Sequence, residues 1–411
     1  LSLANNCWSK FQANIEHNGQ SNNDVRDFID PILIWKHTIA EQYDLFSDIV
    51  IDADNTIYFG TKLGKVIALN SNGTLKWECD LSWEDTDYEG NAIIITPDLH
   101  YGCPALATDG TIYIASGSES DNDDSNGSCR LFAVNPNGTL KWAYRILSTH
   151  YTKPSPITIA NDGTIIFSSY YPYAINPDGT KKWSNGHSYT FSAPILYNNN
   201  MYALGTAGGM YIVSLIDGET PSDWINVTGS SQIQPIIGNS IYAGSPLKSI
   251  NLLTGVTEWE YNLTNVNPDS LSYGNNTLYF CKGLNIYALN IDGTLKWTYL
   301  LSESSVYGNI VIDSNNIYFI TYYNDGIANK NKLYCLDSDG NLIYEIILND
   351  TIGYCNLAIG GDGYLYGSSQ NYIVKIGDYI PPQPLPQVQC RATQIIVSAN
   401  TGKIILAVPI L

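Results

Sequence analysis

Tryptophan recurs along this chain at Trp35, Trp77, Trp142, Trp183, Trp224, Trp259 and Trp297, and most successive copies lie about 40 residues apart. Repetition at that period constrains the fold more than any single residue does, because a unit so short cannot bury both of its faces alone. The unit reads Asp54-Asn55-Thr56-Ile57-Tyr58-Phe59-Gly60, then Val66-Ile67-Ala68-Leu69, then Asn72-Gly73-Thr74-Leu75-Lys76-Trp77. It returns from Asp109 through Leu131-Phe132-Ala133-Val134 to Trp142, from Asp162 through Tyr173-Ala174-Ile175 to Trp183, and from Asn276 through Ile286-Tyr287-Ala288-Leu289 to Trp297. Less regular copies end at Trp224 and Trp259, and a further one ends at Tyr344, where the aromatic is kept and the indole lost.

Short apolar or alternating runs in each unit are bounded by Asp-Gly, Asn-Gly or Asn-Asn, residues that tolerate the positive φ of a two-residue hairpin turn. Four antiparallel strands per unit is the natural count, and packing such sheets face to face around an axis makes an all-β propeller. The spacing predicts eight blades, with seven the alternative if one irregular copy is misread. The eighth unit, from Asp362-Gly363-Tyr364-Leu365-Tyr366-Gly367 to Tyr372-Ile373-Val374-Lys375-Ile376, has no fourth strand after it. Ile32-Leu33-Ile34-Trp35-Lys36-His37 matches that strand, so the N-terminal strand is expected to close the ring. The chain then divides into a lead-in segment (1–31), the propeller (32–378) and a Pro-rich linker with a β-strand tail (379–411).

These residues resemble the pyrroloquinoline-quinone-type, or quinoprotein-like, β-propeller repeat family, whose unit is similar to Asp-Gly-Thr-Ile-Tyr followed by Leu-Tyr-Ala-Leu-Asn-Pro-Asp-Gly-Thr-Leu-Lys-Trp. The resemblance covers roughly residues 32 to 378 and implies that the recurring tryptophan docks on the neighbouring blade as a packing residue. It is specific for fold and nearly silent about function. Quinone-dependent dehydrogenases share the repeat, but many carry an adjacent cysteine pair that this chain lacks, and the family's catalytic aspartate and calcium ligands match no position here. The outer-membrane assembly propeller lipoprotein of bacteria also shares it, yet its lipidated cysteine would be the first mature residue, whereas the first cysteine here is Cys7.

Only 14% of residues are charged, acids outnumber bases 39 to 20, and 31 tyrosines supply much of the polar surface. The net charge of -19 argues against nucleic acid and anionic membrane as partners. No apolar run reaches the roughly 18 residues of a spanning helix, so no membrane insertion is expected. The chain starts at Leu1 without a signal peptide and reads as a processed extracellular or cell-surface form.

Seven Asn-x-Ser/Thr sequons, at Asn72, Asn126, Asn137, Asn226, Asn262, Asn275 and Asn349, are candidate glycosylation sites. Asn72, Asn137 and Asn275 fall in turns whose backbone geometry alone favours Asn. Eight cysteines lack the close spacing of a zinc site, and oxidised pairs suit a secreted protein. Cys103 with Cys129, at strand ends of the second blade, and Cys7 with Cys390, tying the termini, are the expected bridges. Buried free thiols are the alternative, with Cys335, aligned with strand residue Ala68, the candidate for one.

The five histidines, His17, His37, His100, His150 and His187, show no paired spacing, and neither a Gly-x-Ser-x-Gly elbow nor a phosphate loop occurs. Asp121, Asp123 and Ser125 place alternate oxygens as in a calcium loop. The glycine of that loop comes one place late and Phe132 stands where a bidentate acid should be, so a solvated insertion is the other reading. No cofactor other than calcium is expected.

Tyr379-Ile380-Pro381-Pro382-Gln383-Pro384-Leu385-Pro386 reads as a stiff extended linker. Two strands follow, one carrying Ile395, Ile396 and Val397 and one carrying Ile404, Ile405, Leu406 and Val408, with more apolar surface than so short a piece can bury. The tail must dock on its own propeller or on another copy. It holds no acid; Arg391 and Lys403 make it +2, so the chain total of -19 leaves -21 for the rest. Docking on another copy predicts a non-enzymatic structural protein that assembles head to tail into a filament or surface array. The alternatives are a propeller that binds a ligand such as a glycan, or acts in adhesion, and a quinone-dependent dehydrogenase.

Overall fold

The computed structural model describes residues 20–39, 48–86, 92–99, 102–117, 130–146, 154–169, 171–186, 193–204, 209–220, 225–226, 236–244, 246–261, 271–302, 306, 308–324, 326–348, 352–353, 355–369 and 371–378. All belong to the unit Leu1–Asp378. They form eight four-stranded antiparallel sheets, arranged as an eight-bladed β-propeller, and one two-stranded sheet. No helix occurs among them, and none is long and apolar enough to cross a membrane.

Blade 1 shows how the repeat folds. Its strands are Val50–Ile51, Ile57–Gly60, Lys65–Leu69 and Leu75–Asp80, paired in that order. The first two are fully buried, the third is buried except at the half-exposed Lys65 and Ile67, and the fourth, the outer one, is mostly exposed. Blades 2 to 7 span 105–145, 158–184, 195–226, 236–261, 271–300 and 311–347. First strands of neighbouring blades touch, as in blades 1 and 2 and in blades 6, 7 and 8, and so mark the axis.

The Asn/Asp-Gly-Thr turns are longer than the two-residue hairpins expected from sequence. Asn70 to Thr74 link the third and fourth strands of blade 1: Gly73 N–H donates to Asn70 O at 2.8 Å, and Asn70 N–H to Thr74 O at 2.8 Å. The Asn72 carboxamide oxygen also accepts from Thr74 N–H at 3.1 Å and Thr74 Oγ1 at 2.6 Å. Asp178 with Thr180 and Asp292 with Thr294 repeat this cross-link, which explains why Asn or Asp, Gly and Thr recur together. Two-residue turns link the first and second strands of blades 4 and 6 at Asn198-Asn199 and Asn275-Asn276, all four residues with positive φ.

The recurring tryptophan joins blades, as the repeat resemblance implied. Trp77 of blade 1 donates its indole N–H to Pro136 O of blade 2 at 3.0 Å, and Trp142 of blade 2 donates to Pro177 O of blade 3 at 3.0 Å. Trp35, Trp183, Trp259 and Trp297 make the same bond to Ser71, Leu215, Ile291 and Ser338 at 2.8–3.1 Å. Each ring lies flat on the turn glycine of the next blade: a methyl group on Gly73, Gly138, Gly179, Gly218, Gly293 or Gly340 would stand 2.6–2.9 Å from an indole carbon. Inside its own blade the indole leans on a second-strand tyrosine, as in Tyr58–Trp77 and Tyr113–Trp142 with centroids 5.7 Å apart.

Tyr344 breaks the series for a topological reason. It sits in the outer strand of blade 7 and faces blade 8, whose outer strand comes from the other end of the chain. No covalent turn, and therefore no turn glycine, is present there for an indole to cover.

Blade 8 consists of Cys355–Ile359, Leu365–Ser369, Tyr372–Gly377 and the N-terminal strand Ile32–Thr38. Ile32 pairs with Gly377 and Thr38 with Tyr372, with one bulge between Leu33 and Trp35. The lead-in reinforces this closure from residue 20 onward. Ser21 N–H donates to Ile312 O, Val25 N–H to the Asp313 carboxylate, and Arg26 N–H to Gly363 O. The amides of Ile29 and Asp30 share the Asp378 carboxylate at 2.8 and 2.9 Å. Lys375 Nζ, lying 4.2 Å over the Tyr364 ring, donates to the Asp362 carboxylate at 2.7 Å.

Sequence reading missed one element, the hairpin of Trp83–Thr86 with Ala92–Ile95 between blades 1 and 2. Trp83 anchors it, stacking under the Arg130 guanidinium at 4.1 Å and against Phe132.

Gly138→Ala tests the indole contact, because it adds both a left-handed backbone penalty and a clash with Trp77. Gly283→Ala carries the backbone penalty alone, with open space around the added carbon. Urea unfolding of the two variants is expected to place Gly138→Ala lower by about 1–3 kcal/mol, the usual cost of overpacking.

Candidate functional site

Two surfaces concentrate features that the repeat does not require. The first is an arc at the axis, formed where chains enter their first strands. Asp48 and Cys103 stand two residues before the first strands of blades 1 and 2, Asn309 two before that of blade 7, and Asn356 within that of blade 8. Asn356 Nδ2 donates to Asp48 Oδ1 at 2.7 Å, and the Cys103 thiol lies 3.9 Å from Asp48 Oδ2. Asn309 pairs doubly with the Leu357 backbone, accepting from its N–H at 2.6 Å and donating to its carbonyl at 2.9 Å. Blades 7, 8, 1 and 2 are thus tied together beside the axis.

Asp48 is 7% exposed. Burial pushes its carboxyl up to about 6, against the opposing pull of the Asn356 and Cys103 hydrogen bonds. The Cys103 thiol is pushed well above its ordinary value by burial and by the Asp48 charge. Near neutrality the pair is a carboxylate beside a neutral thiol, and both carboxylate oxygens are already engaged. The arrangement suits a structural cross-link. Among the described residues no group of three or more His, Cys, Asp or Glu is placed to hold a metal ion.

The second surface is the row of outer strand edges. An exposed edge presents unpaired backbone groups, and lysine is a common guard against pairing with other chains. Lys76, Lys141, Lys182 and Lys296 occupy the second outer-strand position in blades 1, 2, 3 and 6. The first three reach back to a threonine hydroxyl of their own blade at 2.9–3.0 Å. Blade 5 has Glu258 there, held by Ser240, Ser249 and Asn251. Blade 7 has Ile343. Its outer strand, Leu342–Ile347, exposes Leu342 at 42%, Ile343 at 51% and Ile347 at 52%.

The residues singled out from sequence fall as follows. Asn72 and Asn137 are exposed in their turns, with the carboxamide oxygen held by Thr74 and Thr139. Asn275 is tied down: its Nδ2 donates to Asp313 O at 3.3 Å and its Oδ1 accepts from Gln20. Asn226 ends the strand Ile225–Asn226, and its side chain lies outside the described residues. Asp121, Asp123, Ser125, Asn126, Asn262 and Asn349 also lie outside them, as do Cys7, Cys129, Cys390 and the tail positions Ile395, Ile396, Val397, Ile404, Ile405, Leu406 and Val408. Cys103 is a buried thiol in this structure, as are Cys79, Cys281, Cys335 and Cys355, and the bridge expected at Cys103 is not formed. Cys335 is the buried strand thiol foreseen from its alignment with Ala68. Asp48 was not singled out; aligning the residues that precede each first strand would have shown an acid where blades 2 and 3 carry Cys103 and Pro156.

No family model and no curated protein sequence matches the chain. Its fold is similar to that of BamB from Moraxella catarrhalis, with a TM-score of 0.57 at 14% identity over 85% of this chain and all of that one. It is also similar to a streptogramin B lyase, with a TM-score of 0.51 at 15% identity over 86% of this chain and 99% of that one. Both are β-propellers, and at these identities the likeness is one of fold.

Asp48 makes a signed pH prediction. Its folded form holds a proton more tightly than the ordinary value of 3.8, so its contribution is fully present below that value and is lost as pH rises through about 6. The shift of about two pH units corresponds to roughly 3 kcal/mol. Asp48→Asn is expected to raise the urea midpoint at pH 7.5 relative to the parent and to flatten the decline between about pH 4 and 6.

Proposed function

We propose that this chain is a non-enzymatic extracellular or cell-surface structural protein of the pyrroloquinoline-quinone-type repeat class that assembles through its C-terminal tail. In the proposed assembly the strand Ile404–Leu411 of one copy adds to the outer edge Leu342–Ile347 of blade 7 in the next, beside its exposed Leu342, Ile343 and Ile347.

The observation that carries this reading is the completeness of the ring. All eight blades have their fourth strand from residues no later than Gly377, so no blade is left for the tail to finish. The tail nevertheless holds two apolar segments that need a partner. The blade 7 edge supports the pairing because its guarding lysine is replaced by Ile343, leaving unpaired backbone beside exposed aliphatic side chains. Charge supports it too, since the tail is cationic and the rest of the chain strongly acidic. A donor and an acceptor at different places on one molecule make a heterologous contact, which gives a filament when the rotation does not close. The low content of charged residues and the exposed sequons at Asn72 and Asn137 favour an extracellular setting, where net charge of one sign also limits non-specific association.

Light scattering with negative-stain microscopy on three forms tests this: the intact chain, a chain ending at Asp378, and the full chain with Ile343→Lys. The expected result is large ordered particles from the first, monomers from the second and markedly fewer or shorter particles from the third. Monomers from all three would overturn the assembly reading.

A further inference from the structure

The turn between third and fourth strands asks one thing of the residue before its glycine: an oxygen that accepts from the threonine two places on. Asn72 Oδ1 accepts from Thr74 N–H at 3.1 Å and from its hydroxyl at 2.6 Å, and Asn137 Oδ1 accepts from the same groups of Thr139 at 3.2 and 2.7 Å. In blades 3 and 6 a carboxylate does this work, Asp178 with Thr180 at 2.9 and 2.6 Å and Asp292 with Thr294 at 3.0 and 2.6 Å. A backbone N–H only donates, so the oxygen of each carboxamide is the atom turned to the threonine and the nitrogen is the atom turned away from it. The amide nitrogens of Asn72 and Asn137 are therefore surplus to the turn. Both residues are exposed, and neither Nδ2 makes a hydrogen bond among the described residues.

Asn275-Asn276-Thr277 carries the same sequon in the opposite geometry. Its Nδ2 donates to Asp313 O of blade 7 at 3.3 Å, and its Oδ1 accepts from Gln20 of the lead-in at 3.4 Å. Thr277 is 1% exposed and donates its hydroxyl to Asn275 O at 3.2 Å. A saccharide on this nitrogen would crowd the Asp313 backbone and the lead-in, and the sequon's threonine is closed to an enzyme. Thr74 and Thr139 are exposed.

We propose that Asn72 and Asn137 are N-glycosylated in the folded protein and that Asn275 is not. The proposal rests on the extracellular setting argued above and is independent of the tail. In the transfer, Nδ2 bonds the anomeric carbon of a saccharide carried on a lipid diphosphate while the bond from that carbon to the diphosphate oxygen breaks. The diphosphate leaves with the electron pair, and one Nδ2 proton passes to a base of the transferase. The turn keeps every bond it had, because the carboxamide oxygen stays on the threonine. The corresponding residues of blades 3, 4, 6 and 7 are Asp178, Asp217, Asp292 and Asp339, which have no amide to modify. Among the third-to-fourth-strand turns described, the modified positions are thus confined to two adjacent blades, on the face of the ring where those strands join.

The test is site-by-site mass spectrometry of the full chain isolated from the cells that produce it. Enzymatic release of N-glycans in heavy-oxygen water turns each occupied Asn into a labelled Asp. Labelled Asn72 and Asn137 with unlabelled Asn275 is the expected result. Asn72→Asp and Asn137→Asp, made in the same cells, are each expected to remove one glycan and to speed electrophoretic migration by one step. Thermal melting of the deglycosylated proteins should stay unchanged, since Asp178 and Asp292 show that a carboxylate keeps the turn. Unlabelled Asn72 or Asn137, or labelled Asn275, in protein recovered from the medium or the cell surface would overturn the assignment and leave the extracellular setting standing. Unlabelled residues in protein confined to the cell interior would overturn both.

Discussion

The fold rests on one contact made six times in the described ring: an indole laid flat on the turn glycine of the next blade, with its N–H bonded to a carbonyl of that turn. Each part needs the others. The turn must pass through positive φ, which favours glycine; the absence of a Cβ lets the ring reach the backbone; and the backbone carbonyl, otherwise poorly paired at an interface, finds its donor there. A four-stranded sheet that cannot bury its own faces is thereby held against a neighbour at a set distance. Repeating the contact closes the ring.

Closure is where the chain departs from its own pattern, and each departure has a physical cause. Blade 8 is assembled from both ends of the propeller region, so it lacks the turn that an indole would cover, and Tyr344 takes the place of tryptophan. The missing covalent link is offset by the strand pairing of Ile32–Thr38 and by the lead-in bonds to Asp313, Gly363 and Asp378. The Asp48–Asn356 bond ties blade 8 to blade 1 at the axis as well. Because these contacts complete the ring, no blade needs a strand from beyond Gly377, which is the basis of the assembly proposal.

Much of the fold was legible in sequence because its determinants are local. Asp178-Gly179-Thr180 names its turn, Trp183 names its outer strand, and the mismatch between a missing last strand and a spare first one pointed to the clasp. What escaped depends on relations between blades. A cavity of about 530 Å³ beside Asp162 and Lys182 lies where the five-residue turn of blade 3 stands next to the two-residue turn of blade 4, a difference with no meaning until the two blades are adjacent. Asp48 looks like any acid before an apolar run until Asn356, more than 300 residues away, closes over it. The hairpin at Trp83 carries no repeat signature, and its anchor on Arg130 is a tertiary contact. The edge of blade 7 was half visible: the replacement of lysine by Ile343 can be read in sequence, but its exposure beside Leu342 and Ile347 cannot.

The central claim is that the propeller is complete without the tail and accepts the tail of another copy as a strand. A labelled peptide of Thr393–Leu411 added to a chain ending at Asp378, followed by fluorescence anisotropy, asks this directly. The account predicts saturable binding at one peptide per propeller, weakened by added salt and lost when Ile343 is replaced by lysine. Absence of binding, or binding indifferent to Ile343→Lys, would contradict it.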